Sequence, residues 1–547
     1  MLFPNAVKKN TLTGAQFIIE TLKNLGVDTI FGYPGGVVLS VYDALYKQKE
    51  IKHILTRHEQ AAVHAAEGYA RVSGKCGVVL VTSGPGASNT VTGIVNAYID
   101  GYPLVVITGQ VSSNLIGKDA FQEVNIIEMT KTCTKAGFQV KKADDIGKIL
   151  KKAFTVAMEG KKGPVVVDIV KDIFDSECTA KSEVEDNYDT NYIYKYSVEE
   201  ALKELIHAER PIIVSGGGVV HSKASKELYK LAKKLNIPVV STMMGLGTFP
   251  QDDKNYFGMI GIFGQNSANE ILKKSDLVLS IGARFNDRIT AKFKTEDLNK
   301  KFIQIDINEN EISRTVTATS AIVGDAKAIL NYMYSKIGEF EFDNNTDWLE
   351  SAQELKLLNK THKLVSNKLQ SFEVIKSIYE YTKSLSPYIT TEVGQHQLWT
   401  AQNYKFDRPG QFITSGGTGT MGFGLPAAIG ASIALNKRPI ICIAGDGSFQ
   451  MNEQELATCV DYELPIKIFI MNNGYLGMVR QLQEKHCNSR YSQTKITNPD
   501  FLKLAEAYGI PSIRVTKQQE IKAAVTKAFT SNTPYIIDFI IEPKEIV

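Results

Sequence analysis

Cysteine is scarce in this chain, six residues in 547, and the six stand apart at 76, 133, 178, 442, 459 and 487. No Cys-x-x-Cys pair occurs, which argues against a disulfide framework or a cysteine metal cluster and for a reducing compartment. Long apolar runs are missing too: none approaches the roughly 18 residues of a membrane span. The opening decapeptide MLFPNAVKKN lacks the apolar core of a secretory signal. Charge of one sign is also absent, with 62 Lys and Arg against 59 Asp and Glu, net +3, and no long like-charged run. Nothing there points to nucleic acid or an acidic membrane surface as partner. The expectation is a soluble, cytoplasmic protein.

What is present is length and alternation. With 43% hydrophobic residues over 547 positions, the chain has room for about three domains with ordinary cores. Short apolar, β-branched runs recur at 78–82, 104–108, 165–169, 212–215, 277–281, 302–306 and 535–541, separated by longer amphipathic segments. Such runs alternating with helices predict parallel sheets covered on both faces. Two polar stretches break the rhythm, an acidic linker at 176–196 and a shorter break at 339–346. The expected fold is α/β, three doubly wound domains with parallel sheets at 1–180, 190–340 and 365–547. No exact internal repeat occurs, though the first and third blocks share a strand–helix rhythm.

The most informative stretch is 439–473. Apolar runs at 439–444 and 466–471 read as buried parallel strands, and 453–462 between them suits a helix. The first run ends on Gly445-Asp446-Gly447 and the second on Asn472-Asn473. Asp446 and Asn473 therefore fall at the carboxyl ends of neighbouring strands, the edge where open α/β sheets bind ligands. One carboxylate and one amide oxygen suit Mg2+, a hard cation that keeps phosphate oxygens as further ligands. Gly445 and Gly447 let backbone N–H groups come close to a diphosphate. Alone, Gly-Asp-Gly is equally an ordinary turn; between two strands at this spacing it points to a diphosphate and its metal.

This spacing resembles the cofactor motif of the thiamine-diphosphate-dependent enzymes, and the resemblance runs from about residue 12 to the C-terminus. Within that family the chain is similar to the biosynthetic acetohydroxyacid synthases (acetolactate synthases). The similarity lies in FGYPGG at 31–36, RHEQAAVHAAEGYAR at 57–71, DAFQE at 119–123, GARFNDR at 282–288, GQHQLW at 394–399, TMGFGLPAAIGA at 420–431 and NNGYLGMVRQ at 472–481. It implies decarboxylation of pyruvate on thiamine diphosphate and condensation of the two-carbon remainder with a second pyruvate or 2-oxobutyrate, the first common step towards valine, leucine and isoleucine. It implies three cofactors: thiamine diphosphate, Mg2+ and FAD, with the aminopyrimidine held by the first block, the flavin by the second and the diphosphate by the third. It also implies a homodimer or higher homo-oligomer, because the two halves of a site come from different subunits in the family. A separate small regulatory subunit is a further implied partner.

The chemistry needs a carboxyl group on the aminopyrimidine ring, tuned by burial. Glu59 matches it, at the start of an alanine-rich helical stretch; the plainer alternative is an ion pair with Arg57. Met421, after Gly419, matches the apolar wedge that bends the cofactor, a place core packing would also explain. Gln395 and His396 match a turn that reaches the diphosphate, with Ser448, Gly477 and Met478 beside them. Asp446, Asn473 and the main-chain carbonyl of Tyr475 match the metal ligands. Gly36, Phe121 and Gln122 match the lining of the reacting keto group, Gln122 as donor to oxyanion charge. Lys171 and Arg288 match cationic anchors for substrate carboxylates at the entrance.

Gly216, Gly217 and Gly218 do not make Gly-x-Gly-x-x-Gly, and a plain strand-to-helix turn explains them equally well. Together with Gly282, Arg284, Asp287, Arg288, Asp306 and Asp325 they match flavin-binding positions, as does Lys161, where relatives often carry Arg. Leu482 stands where relatives usually have Trp, and Val37 and Ser112 where they commonly have Ala and Pro, in the channel that sulfonylurea-type inhibitors fill. Three neighbouring readings have their own signatures. A flavin-dependent pyruvate oxidase would consume oxygen or quinone in step with CO2 release. A catabolic acetolactate synthase would lack the flavin segment. A partner subunit without catalysis would have no need of Glu59, Met421, Asp446 and Asn473 together.

Overall fold

Every apolar run named above falls on a strand. The computed structural model describes residues 11–179, 195–341, 345–359 and 366–547, and in it these runs build three six-stranded parallel sheets. The first contains β1 (Thr29–Tyr33), β2 (Lys52–Leu55), β3 (Gly77–Val81), β4 (Leu104–Gln110), β5 (Ala136–Val140) and β6 (Pro164–Val170). The second contains β7 (Pro211–Ser215), β8 (Val239–Ser241), β9 (Tyr256–Met259), β10 (Leu277–Ile281), β11 (Lys301–Asp306) and β12 (Ser320–Val323). The third contains β13 (Tyr388–Thr391), β14 (Phe412–Ile413), β15 (Ile440–Gly445), β16 (Ile466–Asn472), β17 (Ser512–Val515) and β18 (Tyr535–Ile540). Most of the linker expected at 176–196, part of the break at 339–346 and the N-terminal decapeptide lie outside the described residues.

The order of strands decides where ligands can bind. The first sheet runs β2-β1-β3-β4-β6-β5, and the third repeats that order as β14-β13-β15-β16-β18-β17. The second runs β9-β8-β7-β10-β11-β12, the dinucleotide-binding order. In each sheet the winding reverses once: at β1/β3, β7/β10 and β13/β15. Ligands of open α/β sheets bind outside the carboxyl ends of the strands at that reversal.

Both faces of the second sheet are covered, as continuous apolar strands require. Ile213 and Leu279 point into one buried cluster, while their neighbours Ile212, Val214 and Val278 point into another. The chain folds into two compact units, each assembled from separate stretches of sequence. One comprises Met1–Tyr188, Gly417–Arg438 and Asn452–Leu464; the other comprises Asp189–Gly416, Pro439–Met451 and Pro465–Val547. In the first unit the helix Glu59–Ser73 packs on the helix Gly424–Ala434. Glycine makes this approach close, since a Cβ on Gly68 would stand 2.7 Å from the Ala427 Cα. Among the described residues no helix is long and apolar enough to cross a membrane.

Candidate active site

At the reversal of the third sheet, the chain leaves β13, turns at Gly394 (φ 151°) and enters the helix Gln395–Asn403. Gln395 and His396 thus stand in the first turn of that helix. The neighbouring strand β15 ends on Gly445 and enters the short helix Asp446–Phe449. A Cβ on Gly445 would stand 2.7 Å from the His396 Nδ1, and one on Gly447 would stand 2.7 Å from the Leu476 Cδ2. At Gly445 the close approach of the buried imidazole ring favours glycine, whereas at Gly447 the neighbour is the tip of a Leu side chain. The Ser448 hydroxyl donates to the Gly445 carbonyl at 3.2 Å.

Asp446 is 1% exposed. Its Oδ2 accepts from the Gly474 N–H at 2.8 Å and from the Asn498 Nδ2 at 2.6 Å. Burial pushes its carboxyl up to about 6, against the pull of these neutral donors. A buried carboxylate with neutral partners is short of positive charge, and a cation supplies it. Asn473 Oδ1 accepts from the Tyr475 N–H at 2.9 Å. The Tyr475 carbonyl takes no part in the backbone bonds that flank it, Ile496 N–H to Gly474 and Leu476 N–H to Thr494. Among the described residues no three His, Cys, Asp or Glu side chains cluster as a metal site. A cation at Asp446 would therefore be a hard one, using carboxylate, amide and carbonyl oxygens.

The diphosphate positions fit as well. His396 Nε2 is buried with no hydrogen-bond partner, and burial drives its imidazole down to about 3. Gln395 Nε2 donates to Gln481 Oε1 at 2.7 Å. Gly477 opens the helix Gly477–His486, and a Cβ there would collide with Gln395 Oε1 and stand 2.8 Å from Asn473 Nδ2. Met478 follows it, half-buried. Asp446, Asn473, Tyr475, Gln395, His396 and these glycines are brought together at one sheet edge.

The first unit carries the other expected residues. Glu59 opens the helix Glu59–Ser73, behind the His58 ring that accepts from the Gln60 N–H at 3.1 Å. Its Oε2 accepts from Asn89 Nδ2 at 3.0 Å. The ion pair with Arg57 does not form: Arg57 reaches Asp461 at 2.5 Å instead. Gly36 is exposed just past β1. Gln122 adopts a left-handed φ of 61° and packs on Gly84, whose missing Cβ would stand 2.8 Å from the Gln122 Cβ. Non-glycine residues held there are strained, and such strain gathers at functional sites. Phe121 is 89% exposed, and Lys171 is exposed in the turn after β6. Lys161 lies over the Tyr98 ring at 5.5 Å. Met421 sits between Gly419 (φ 67°) and Gly422 (φ 84°). Its loop is anchored by the Gly417 N–H on Asp100 at 2.8 Å and the Thr418 hydroxyl on Asn96 at 2.6 Å.

In the second sheet, Gly216–Gly218 and Gly282 interlock at the reversal between β7 and β10. A Cβ on Gly218 would stand 2.6 Å from the Gly282 Cα, and one on Gly216 would stand 2.5 Å from the Ala283 Cα. Gly217, facing Met244, has more room, 3.3 Å. These interlocked glycines lie at the reversal of a sheet with dinucleotide-binding order, the place where such sheets take a dinucleotide. Arg284 is half-buried beside them, whereas Asp287 and Arg288 are exposed and pair with each other at 3.5 Å. Asp306 accepts from the Asn308 N–H at 2.9 Å, and Asp325 caps the helix Ala326–Lys336 through the Ala328 N–H at 3.0 Å.

Three groups escape a reading of the sequence. Thr82 and Ser83 have buried hydroxyls without partners at the end of β3, signalled only by the Thr-Ser-Gly-Pro-Gly run after a strand. Asn498, which donates to Asp446, is signalled by nothing beyond its Asn-Pro turn.

Residues 12–129 match the N-terminal TPP binding domain of thiamine pyrophosphate enzymes, 198–333 the central domain, and 392–539 the C-terminal TPP binding domain. Over 98% of its length the chain is 43% identical to the acetolactate synthase large subunit of Haemophilus influenzae, covering 96% of that protein. It is 41% identical to the acetolactate synthase isozyme 3 large subunit of Escherichia coli, over 98% of this chain and 96% of that one. A probable acetolactate synthase large subunit of Methanocaldococcus jannaschii is 42% identical over 98% and 93%.

Proposed function

The chain belongs to the thiamine pyrophosphate enzymes and, within them, to the acetolactate synthase large subunits, and from that membership we propose how its residues carry the reaction. It is a thiamine-diphosphate-dependent acetolactate synthase of branched-chain amino acid biosynthesis. Pyruvate loses CO2, and the two-carbon remainder joins a second 2-oxo acid, pyruvate or 2-oxobutyrate. Thiamine diphosphate, when bound, would supply a thiazolium carbon acidic enough to become a nucleophile on losing its proton, and a ring that can take up the charge left by CO2.

Glu59 holds a proton at the aminopyrimidine N1′, with Asn89 fixing its carboxyl group. Asp446, Asn473 and the Tyr475 carbonyl hold Mg2+. Gln395, His396, Gly445, Gly447, Ser448, Gly477 and Met478 seat the diphosphate. Met421, shaped by Gly419, bends the cofactor. Gln122 donates to the developing oxyanion, while Gly36 and Phe121 wall the keto group and Lys171 draws in substrate carboxylates. Gly216, Gly217, Gly218, Gly282, Arg284, Asp287, Arg288, Asp306, Asp325 and Lys161 hold FAD. The three blocks 1–180, 190–340 and 365–547 act as aminopyrimidine, flavin and diphosphate domains of a cytoplasmic homo-oligomer. The large-subunit relationship supports a small regulatory partner.

The observation that carries this reading is Asp446, buried among neutral donors at a sheet reversal, beside a partnerless His396 nitrogen. The test is incubation with pyruvate, thiamine diphosphate and Mg2+, with and without FAD. Acetolactate should form without net flavin reduction. Oxygen or quinone consumption matching CO2 release would establish a pyruvate oxidase instead.

A further inference from the structure

Asp446 is joined to Asp538 by a file of hydrogen-bonded side chains. Asp538, in β18 and 0% exposed, accepts from Arg514 Nε at 2.9 Å through Oδ2 and from Asn472 Nδ2 at 3.0 Å through Oδ1. Asn472 closes β16 and presents its Oδ1 to Asn498 Nδ2 at 3.0 Å. The same Asn498 nitrogen donates to Asp446 Oδ2 at 2.6 Å. Asn498 Oδ1 accepts from Gln450 Nε2 at 2.9 Å, which also donates to the Asp446 carbonyl at 2.9 Å.

A primary amide has a donor end and an acceptor end, exchanged by half a turn, whereas a carboxylate only accepts and a guanidinium only donates. Asp538 therefore draws the donor end of Asn472. The acceptor end of Asn472 draws the donor end of Asn498, and Asn498 meets Asp446 with N–H. We propose that Asp538 is a positioning residue for the metal site, fixing the direction of two intervening amides so that a donor, never a carbonyl, faces Asp446. The proposal rests on the reading of Asp446 as the cation's carboxylate.

Replacing Asp538 by Asn keeps the shape and inverts the logic. Arg514 Nε claims the oxygen of the new amide, so its NH2 faces Asn472. Asn472 must then turn, and the turn passes on to Asn498, whose carbonyl would oppose Asp446 as acceptor against acceptor. Removing Arg514 as well frees the new amide to present its oxygen to Asn472 again. The double substitution should therefore repair the single one, which a merely structural role does not predict.

The test is Mn2+ titration of the metal-stripped full-length protein in the presence of thiamine diphosphate, followed by electron paramagnetic resonance, with thermal midpoints measured alongside. Asp538→Asn should raise the Mn2+ Kd about 10–100-fold, the usual effect of outer-shell changes in metal sites. Asp538→Asn/Arg514→Leu should return it close to the wild-type value. Should the single variant fail to fold, Asn498→Leu, which removes the donor without touching Arg514 and Asp538, should show the same loss. Unchanged affinity in either single variant, or a double variant no tighter than Asp538→Asn, overturns the proposal. If wild type and Asp446→Asn alike show no Mn2+ binding dependent on thiamine diphosphate, the cation site itself is misassigned, and the relay falls with it.

Discussion

His396 lies so close to Gly445 that a Cβ on the glycine would stand 2.7 Å from the imidazole Nδ1. Alanine at 445 must push away either the ring or the strand end that leads into Asp446. Overpacking of this kind costs about 1–3 kcal/mol, and here it also displaces two groups assigned to the diphosphate. Gly445→Ala is expected to weaken thiamine diphosphate binding roughly 5–100-fold, by the rule that about 1.4 kcal/mol is a tenfold change. Cofactor titration by circular dichroism reads the binding, and a urea titration reads the stability. Unaltered binding would remove both residues from the diphosphate site.

Chelation should release the cofactor. A cation held by the oxygens of Asp446, Asn473 and Tyr475 would offset the charge of a diphosphate that otherwise meets the Asp446 carboxylate without compensation. Dialysis against EDTA should lower thiamine diphosphate retention, and Mg2+ should restore it in wild type but not in Asp446→Ala. Tight retention after chelation, measured by equilibrium dialysis, would contradict the assignment.

Much of the fold and the site is legible in the sequence, and the limits have physical causes. The strands declare themselves because strands buried on both faces read as unbroken apolar runs. Asp446 and Asn473 are legible because each ends such a run at a Gly or Asn boundary. The strand order is not, since β-pairing is non-local: the first and third sheets share one order without any exact sequence repeat. The Arg57–Asp461 pair joins residues some 400 apart, so the sequence alone leaves Arg57 facing Glu59. Asn498 and Asp538 are invisible for the same reason. The hydrogen bonds that Asn498 and Asp538 themselves make span tens of residues, and no local pattern distinguishes such an Asn or Asp from one in a solvated turn.

The salt-bridge cluster under the Met421 loop should dominate the stability of its unit. Arg71, with its side chain 2% exposed, reaches Glu67 at 2.5 Å and Asp100 at 2.8 Å, both carboxylates fully buried. Burial raises the Glu67 carboxyl above the usual range. Removing the guanidinium takes its charge away from both buried acids, a loss of about 3–5 kcal/mol for a broken buried pair. Arg71→Met should lower the urea midpoint accordingly; a change under about 1 kcal/mol, typical of exposed pairs, would show that the cluster is solvated.

His64 should make the protein sensitive to mild acid. Burial first, and the Arg71 charge second, hold its imidazole down to about 3, against about 6.5 in an unfolded chain. The unfolded state takes up a proton as pH falls through 6.5 while the folded state does not. Its stabilising contribution is therefore complete above that value and is lost as pH falls towards 3, at about 1.4 kcal/mol per pH unit. His64→Gln should flatten the dependence of unfolding free energy on pH by one proton between roughly pH 6 and 4. An unchanged slope would mean that His64 does not stay neutral in the fold.

Leu482 should set a weak substrate preference. It is 44% exposed on the helix Gly477–His486, where a Trp would offer a larger rigid face to the extra methyl of 2-oxobutyrate. One methylene is worth about 1–3 kcal/mol of discrimination. Leu482→Trp should therefore shift the product ratio several-fold towards 2-aceto-2-hydroxybutyrate when both oxo acids compete. A constant ratio would place selectivity elsewhere.

The helix Gly424–Ala434 has a consequence for synthesis on the ribosome. Its packing partner, Glu59–Ser73, emerges roughly 360 residues earlier, a wait of about 20–70 s at ordinary elongation rates of about 5–20 residues per second. Throughout that interval the small-residue face of the older helix, with Ala65 and Gly68 where the younger one packs in the folded protein, waits for its partner. The N-terminal unit cannot close until the chain has passed Leu464. The packing of that unit is thus completed late in synthesis, and a chain ending before those residues holds an unfinished N-terminal unit rather than a shortened enzyme.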